Sequence, residues 1–194
     1  MTKSRTPIPR KIRDQVLKEF NHRCAICGAD QPHIHHIDEN PSNNDPENLI
    51  PLCPNCHLID QHNPTEGVEV EKLKLFRKYK DPTILKHQFH PLFLRTDFLN
   101  KISDDSDAKE LDKQAEELTD FVKELEMGSF YAKKLSQLIR KPKYGGVIAL
   151  GDPHSRHRYL QQQKKQDQDY RLQLREAYDQ VMSLVVELLR FQSW

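Results

Sequence analysis

Four cysteines fall in two Cys-x-x-Cys pairs, Cys24/Cys27 and Cys53/Cys56, and no other feature of the 194 residues constrains the fold as tightly. Gly28 follows the first pair and Pro54 lies inside the second. In a reducing compartment such spacing favours a metal over disulfides. Four soft thiolates then imply a tetrahedral structural Zn²⁺ site with no open position. A redox role needs only one pair, in a thioredoxin-like context that this sequence lacks. The 25 residues between the pairs, 28 to 52, exceed the spacer of a plain zinc ribbon, so something further is built inside the loop.

The local patterns say what that is. In "PRKIRDQVLKEF", Ile12, Val16, Leu17 and Phe20 share one helical face, and Pro9 occupies a tolerated starting position. Between the cysteine pairs, "HIHHI" reads as a short strand, the Asn, Asp and Pro cluster from Asp38 to Asn48 as a loop, and "LIPL" as a second strand. A helix starts near Cys56 and stops before "NPTEG". The expected order is strand, loop, strand and helix, clamped at its base by two knuckles. His35 and His36 end the first strand, Asn48 precedes the second, and His57 follows the last cysteine at the helix start.

That combination, "CAIC", "HHID", "NN", "ENL" and "LCPNCH" in this order, resembles the HNH endonucleases, the zinc-bearing branch of the ββα-metal nucleases. The resemblance covers residues 9 to 62 and implies an activity: metal-dependent hydrolysis of phosphodiester bonds in DNA. It implies that His36 is the general base, a task suited to an imidazole whose ordinary pKa of about 6.5 leaves it neutral yet basic. It implies that Asn48 orients that imidazole through a hydrogen bond. It further implies that His35 and His57 bind one catalytic divalent metal, with His62 a candidate third ligand; where many members carry a second helix histidine, this chain has Gln61. An open shell of this kind suits Mg²⁺ or Mn²⁺, while imidazoles also accept Ni²⁺ or Zn²⁺. Consecutive strand residues point to opposite faces, so His35 and His36 can serve one phosphate only if the strand ends or bends there.

Charge is close to balanced, at a net +1, but it is segregated. Arg10, Lys11, Arg13 and Arg23 flank the motif and are the expected DNA-phosphate contacts, which set affinity without reading bases. Residues 104 to 126, by contrast, hold ten acids and three lysines. No apolar run approaches the roughly 20 residues of a membrane span, and "MTKSRTPIPR" has no apolar stretch after its charges, so the expected location is cytoplasmic. "YGGVIALGD" lacks the Gly-Lys-Ser/Thr ending of a phosphate-binding loop and is read as a link.

The expected fold class is α+β and mostly α, with an HNH module at residues 1–67 and a helical region at 68–194. In that region Leu111, Ala115, Leu118, Val122 and Leu125 recur at steps of four and three, a helix-packing seam. Near the C-terminus, Leu174, Tyr178, Val181, Val185 and Leu188 form a second seam, with Met182, Val186 and Leu189 beside it. A helix apolar over so much of its circumference calls for cover on more than one side. The expected cover is a homodimer or a protein partner, such as an ATPase subunit of an anti-phage defence system. The competing expectation is a zinc-stabilised DNA-binding or adaptor module without nuclease activity.

Overall fold

A computed structural model describes residues 6–57, 70–85, 89–142 and 153–193, the side chains of the last helix from 156 onward. His62, Gln61 and the "YGGVIALGD" segment lie outside the described residues. The chain divides into two compact units, residues 1–86 and 87–194.

In the first unit, α1 (Arg10–Glu19) follows Pro9, whose carbonyl accepts the Arg13 N–H at 3.0 Å. Proline suits this place because its missing N–H would have no partner in a first helical turn. The helix fully buries Val16 and ends as Asn21 and His22 take positive φ, 53° and 58°. This reversal brings the chain to Arg23 and Cys24. Strand β1 (His33–His36) pairs antiparallel with β2 (Leu49–Leu52), placing His33 opposite Leu52, His35 opposite Ile50 and His36 opposite Leu49. All four residues of β2 are buried. Two strands of four residues make a sheet too small to stand alone. It is clamped by the knuckles: the Ala25 N–H donates to the Pro51 carbonyl at 2.8 Å.

Helix α2 (Val70–Tyr79) buries Leu73, Leu75, Phe76 and also Arg77, which is only 2% exposed. The Arg77 guanidinium donates to Glu19 at 2.7 Å and to the Pro46 carbonyl at 3.1 Å, and stacks over the Phe20 ring at 5.4 Å. One side chain thus ties α2 to the end of α1 and to the turn before β2. Helix α2 belongs to the first unit, residues 1–86.

The second unit is helical: α3 (His90–Thr96), α4 (Ala108–Lys123), α5 (Gly128–Ile139) and α6 (Pro153–Leu189). Asp107 caps α4 by accepting the Lys109 N–H at 2.9 Å. The α4 seam is buried at Leu111, Ala115, Leu118 and Val122 and packs against α5, which contributes Tyr131, Ala132, Leu135 and Ile139. The turn between them needs Gly128, because a Cβ there would lie 2.1 Å from the Val122 carbonyl oxygen.

On α6, Leu174, Val181, Met182, Val185, Val186, Leu188 and Leu189 are each at most 2% exposed within the single chain. Helix α6 packs on α5, on α4 and on the 3-10 turn Asp97–Asn100. Polar bonds add to this: Tyr170 donates to the Ile139 carbonyl at 2.8 Å, and Arg171 to the Ser106 carbonyl at 2.9 Å. The expected homodimer or protein partner rested on an uncovered apolar circumference. The α6 residues named above are covered from within the chain.

Candidate metal centre and histidine site

The first knuckle is closed by backbone bonds. Gly28, at φ 74°, donates to the Cys24 carbonyl at 2.9 Å, and Cys24 donates to the Ala29 carbonyl at 2.8 Å. In the second, the Cys56 N–H points at the Cys53 sulfur at 3.4 Å, and His57 donates to the Cys53 carbonyl at 2.9 Å, opening a helical turn over 54–57. The four sulfurs lie within 4.8 Å of one another, with the Cys27 and Cys53 pair at 3.6 Å. A tetrahedral Zn²⁺ with bonds of about 2.3 Å sets its sulfurs about 3.8 Å apart, so the cluster can hold a metal such as zinc. No disulfide joins any two of the four, and all are free thiols.

Electrostatics points the same way. Burial opposes ionisation of Cys24, but hydrogen bonds from the backbone of Cys27, Cys53 and Ile26 outweigh it and bring the thiol to about 7. Burial and the neighbouring sulfurs push Cys56 up. Four thiols this close resist ionising together unless a cation neutralises them. Cys24, Cys53 and Cys56 are buried and Cys27 is exposed, so the cluster lies at the surface of the unit. Arg23 braces it, donating to the Gly28 carbonyl at 3.2 Å while pairing with Asp30 at 3.5 Å.

The sheet carries the histidines. His35 is buried and His57 half-buried, and His35 Nδ1 stands 3.1 Å from His57 Nε2, the rings meeting edge to face at 4.9 Å between centroids. Two imidazole nitrogens about 2.1 Å from a shared ion lie about 3.0 to 3.4 Å apart at octahedral or tetrahedral angles. The spacing therefore fits a shared divalent metal, and equally fits one ring donating to the other. β1 ends at His36, where the chain turns: Ile37 donates to the Asn48 carbonyl at 2.8 Å and Glu39 to the His36 carbonyl at 3.0 Å.

His36 Nε2 is 3.1 Å from Asn44 Oδ1. Asn48, expected to orient this ring, is engaged elsewhere. Its amide donates to Asp38 Oδ1 at 2.8 Å and to the Asn43 carbonyl at 3.0 Å, and its oxygen accepts the Asp38 N–H at 3.0 Å. Asp38 in turn accepts from Asn43 Nδ2 at 2.7 Å and the Asn40 N–H at 2.9 Å. Burial opposes the Asp38 charge, but these donors, with Asn48 and nearby His36, outweigh it and lower its pKa. Asn48 is thus the fastener of the loop rather than a partner of His36. The physical reason is distance along the loop: its side chain spans the base between Asp38 and Asn43, while Asn44 comes forward to the ring.

Of the expected DNA contacts, Arg10 pairs loosely with Asp14 at 3.9 Å, and Arg23 serves the knuckle. Lys11 and Arg13 are exposed, and Arg13 lines a groove of about 420 Å³ with Thr6, Pro7, Ile8, His33 and Ile34. The residues missed by pattern alone are Asn44 and Arg77. Asn44 sits in the "NN" pair but has no periodic neighbour to mark it, and Arg77 lies in the run "KLKLFRKYK", where nothing sets it apart from the basic residues around it. No helix among the described residues is long and apolar enough to cross a membrane. Comparison of the chain with protein-family models, with curated proteins and with solved structures returns no match.

Proposed function

We propose that the N-terminal unit is a metal-dependent endonuclease of the HNH type that hydrolyses phosphodiester bonds in DNA. The observation that carries this is the meeting of His35 and His57 at 3.1 Å, one residue beyond the cysteine cluster, with His36 next in the strand. In this reading Cys24, Cys27, Cys53 and Cys56 hold a structural Zn²⁺ that clamps the sheet to the helical turn carrying His57. His35 and His57 hold a second divalent ion, Mg²⁺ or Mn²⁺, which when bound neutralises phosphate charge and stabilises the 3′ leaving oxygen. His36 takes a proton from water, whose oxygen attacks phosphorus as the bond to the 3′ oxygen breaks; the departing 3′ oxygen takes up a proton from solvent, and the imidazolium returns its own to solvent. Arg13 and Lys11 contact flanking phosphates without reading sequence. Asn48 keeps the loop from Asp38 to Asn48 folded, so that the end of β1 holds its place.

The test is plasmid nicking by the full chain with Mg²⁺ or Mn²⁺, beside His36→Ala. Loss of a general base lowers rates by about 10² to 10⁴, so wild type should relax supercoiled plasmid while the variant scarcely does. Zinc content and DNA affinity should match in the two. Plasmid left supercoiled by wild-type protein with either metal, or cut equally by His36→Ala, rejects the reading.

A further inference from the structure

Asn44 touches the base and has no role in the scheme above. Its side chain is held from both ends: Nδ2 donates to the Pro7 carbonyl at 3.3 Å, while Oδ1 faces His36 Nε2 at 3.1 Å. A backbone carbonyl can only accept, so the amide nitrogen must face Pro7, and the amide oxygen must face the ring. That oxygen can also only accept. His36 Nε2 therefore carries the hydrogen, and the lone pair is left on Nδ1.

Neighbouring residues fix Asn44 in turn. On one side Asn43 donates its amide to Asp38 at 2.7 Å, gives its carbonyl to Asn48 at 3.0 Å, and donates its backbone N–H to the Asn40 carbonyl at 3.0 Å. On the other, the Asp45 N–H bonds to Asn43 Oδ1 at 3.3 Å, and Asp45 caps the 3-10 turn Pro46–Asn48 through the Glu47 N–H at 3.0 Å. With both neighbours anchored, only the two side-chain torsions of Asn44 remain, and Pro7 sets them.

From this geometry we infer that Asn44, anchored on the Pro7 carbonyl, is the positioning residue for His36: it fixes the ring and its tautomer so that Nδ1 is the nitrogen that takes the proton from water. This rests on the nuclease reading and adds to it the atom that acts. Through the reaction the hydrogen on Nε2 stays in place. As Nδ1 gains the proton from water the ring becomes cationic, and the bond to Asn44 Oδ1 strengthens as charge-assisted bonds do. Asn44 thus favours the protonated product of the transfer while never exchanging a proton itself.

The experiment uses the zinc-loaded full chain with supercoiled plasmid and Mn²⁺, comparing wild type, Asn44→Ala and Asn44→Asp. A parallel ¹⁵N-histidine NMR measurement reads solvent exchange of the His36 Nε2–H. Removing a partner that orients a site residue typically lowers activity by about 10- to 100-fold, so Asn44→Ala should lose that much in kcat at unchanged KM. Asn44→Asp keeps the acceptor for His36 but gives up the donor to Pro7, so it should recover part of the loss. The Nε2–H signal should be protected in wild type and Asn44→Asp and exchange freely in Asn44→Ala, with one zinc per chain in all three. Wild-type kcat in Asn44→Ala, failure of Asn44→Asp to rescue, or an unprotected Nε2–H in wild type each overturns the inference. If wild-type protein does not cut DNA, the nuclease reading falls, while a protected Nε2–H lost only in Asn44→Ala still upholds the pairing.

Discussion

The two units of this chain are stabilised by opposite means. Residues 87–194 bury long apolar stripes: Leu118, Leu135, Leu174, Val181 and Val185 are wholly enclosed, and the polar bonds between helices only supplement that packing. Residues 6–57 have two strands of four residues, and the loop between them is held by Asp38, Asn40, Asn43 and Asn48 bonding one another and their backbones. What the sheet lacks in apolar area is supplied by four thiols at its base and by buried Arg77. The comparison teaches where chemistry can sit. Histidines need fixed polar partners, and such partners are present in the loop-rich unit, whereas a helical core built from aliphatic contacts has few to spare.

The largest test of that contrast is to remove one sulfur. Thiolate-bound Zn²⁺ contributes on the order of 10 kcal/mol to small modules, so Cys53→Ser should lose its zinc and unfold the sheet and knuckles. The helical unit should keep its far-UV CD signal and cooperative melt. Elemental analysis and thermal melts decide it: zinc retained at one per chain, or a melt lost in both units at once, breaks the contrast. The converse change comes next in size. Leu118 is fully enclosed between α4 and its neighbours, and truncating such a leucine costs about 2 to 5 kcal/mol. Leu118→Ala should lower the unfolding free energy of the helical unit by that amount while the zinc content stays at the wild-type level.

How much could be read from sequence differs between the units for the same reason. In the helical unit, periodicity alone located the α4 seam and both stripes of α6, because burial there follows the 3.6-residue repeat. It did not say what covers α6, since α5 supplies the missing surface through Tyr131, Leu135 and Ile139, a pattern shorter and less regular than the seam it meets. In the sheet unit the cysteine spacing marked the cluster, and the alternation of "HIHHI" with "LIPL" marked both strands. The hydrogen bonds of the loop were not legible. Asn43, Asn44 and Asn48 are chemically identical, and which of them reaches His36 depends on the path of the loop and on Pro7, 37 residues from Asn44 in the chain. Arg77 was hidden for a similar reason: its partners Glu19, Pro46 and Phe20 come from three separate segments.

The smallest expected effect concerns one polar bond between two helices of the helical unit, and it is read by pH. Tyr131 is 2% exposed and donates to Glu187 at 2.9 Å, joining α5 to α6. Burial, and then the Glu187 carboxylate that accepts its hydrogen, push its pKa up from 10.0 to about 12. A raised pKa means that the folded chain keeps this proton after the unfolded chain has released it. The associated stability is therefore complete below pH 10, declines as pH rises from 10, and is gone above about 12. Tyr131→Phe keeps the ring and removes the hydroxyl, at a cost of about 1.5 to 3 kcal/mol near neutral pH for a bond to a charged acceptor. Urea unfolding of the helical transition between pH 8 and pH 12 should then show the two proteins converging, because only wild type has this contribution to lose. A gap that stays constant across that range would show that the Tyr131–Glu187 bond adds nothing beyond packing. The joint between α5 and α6 at Tyr131 would then rest on apolar contact, which sharpens its contrast with the sheet.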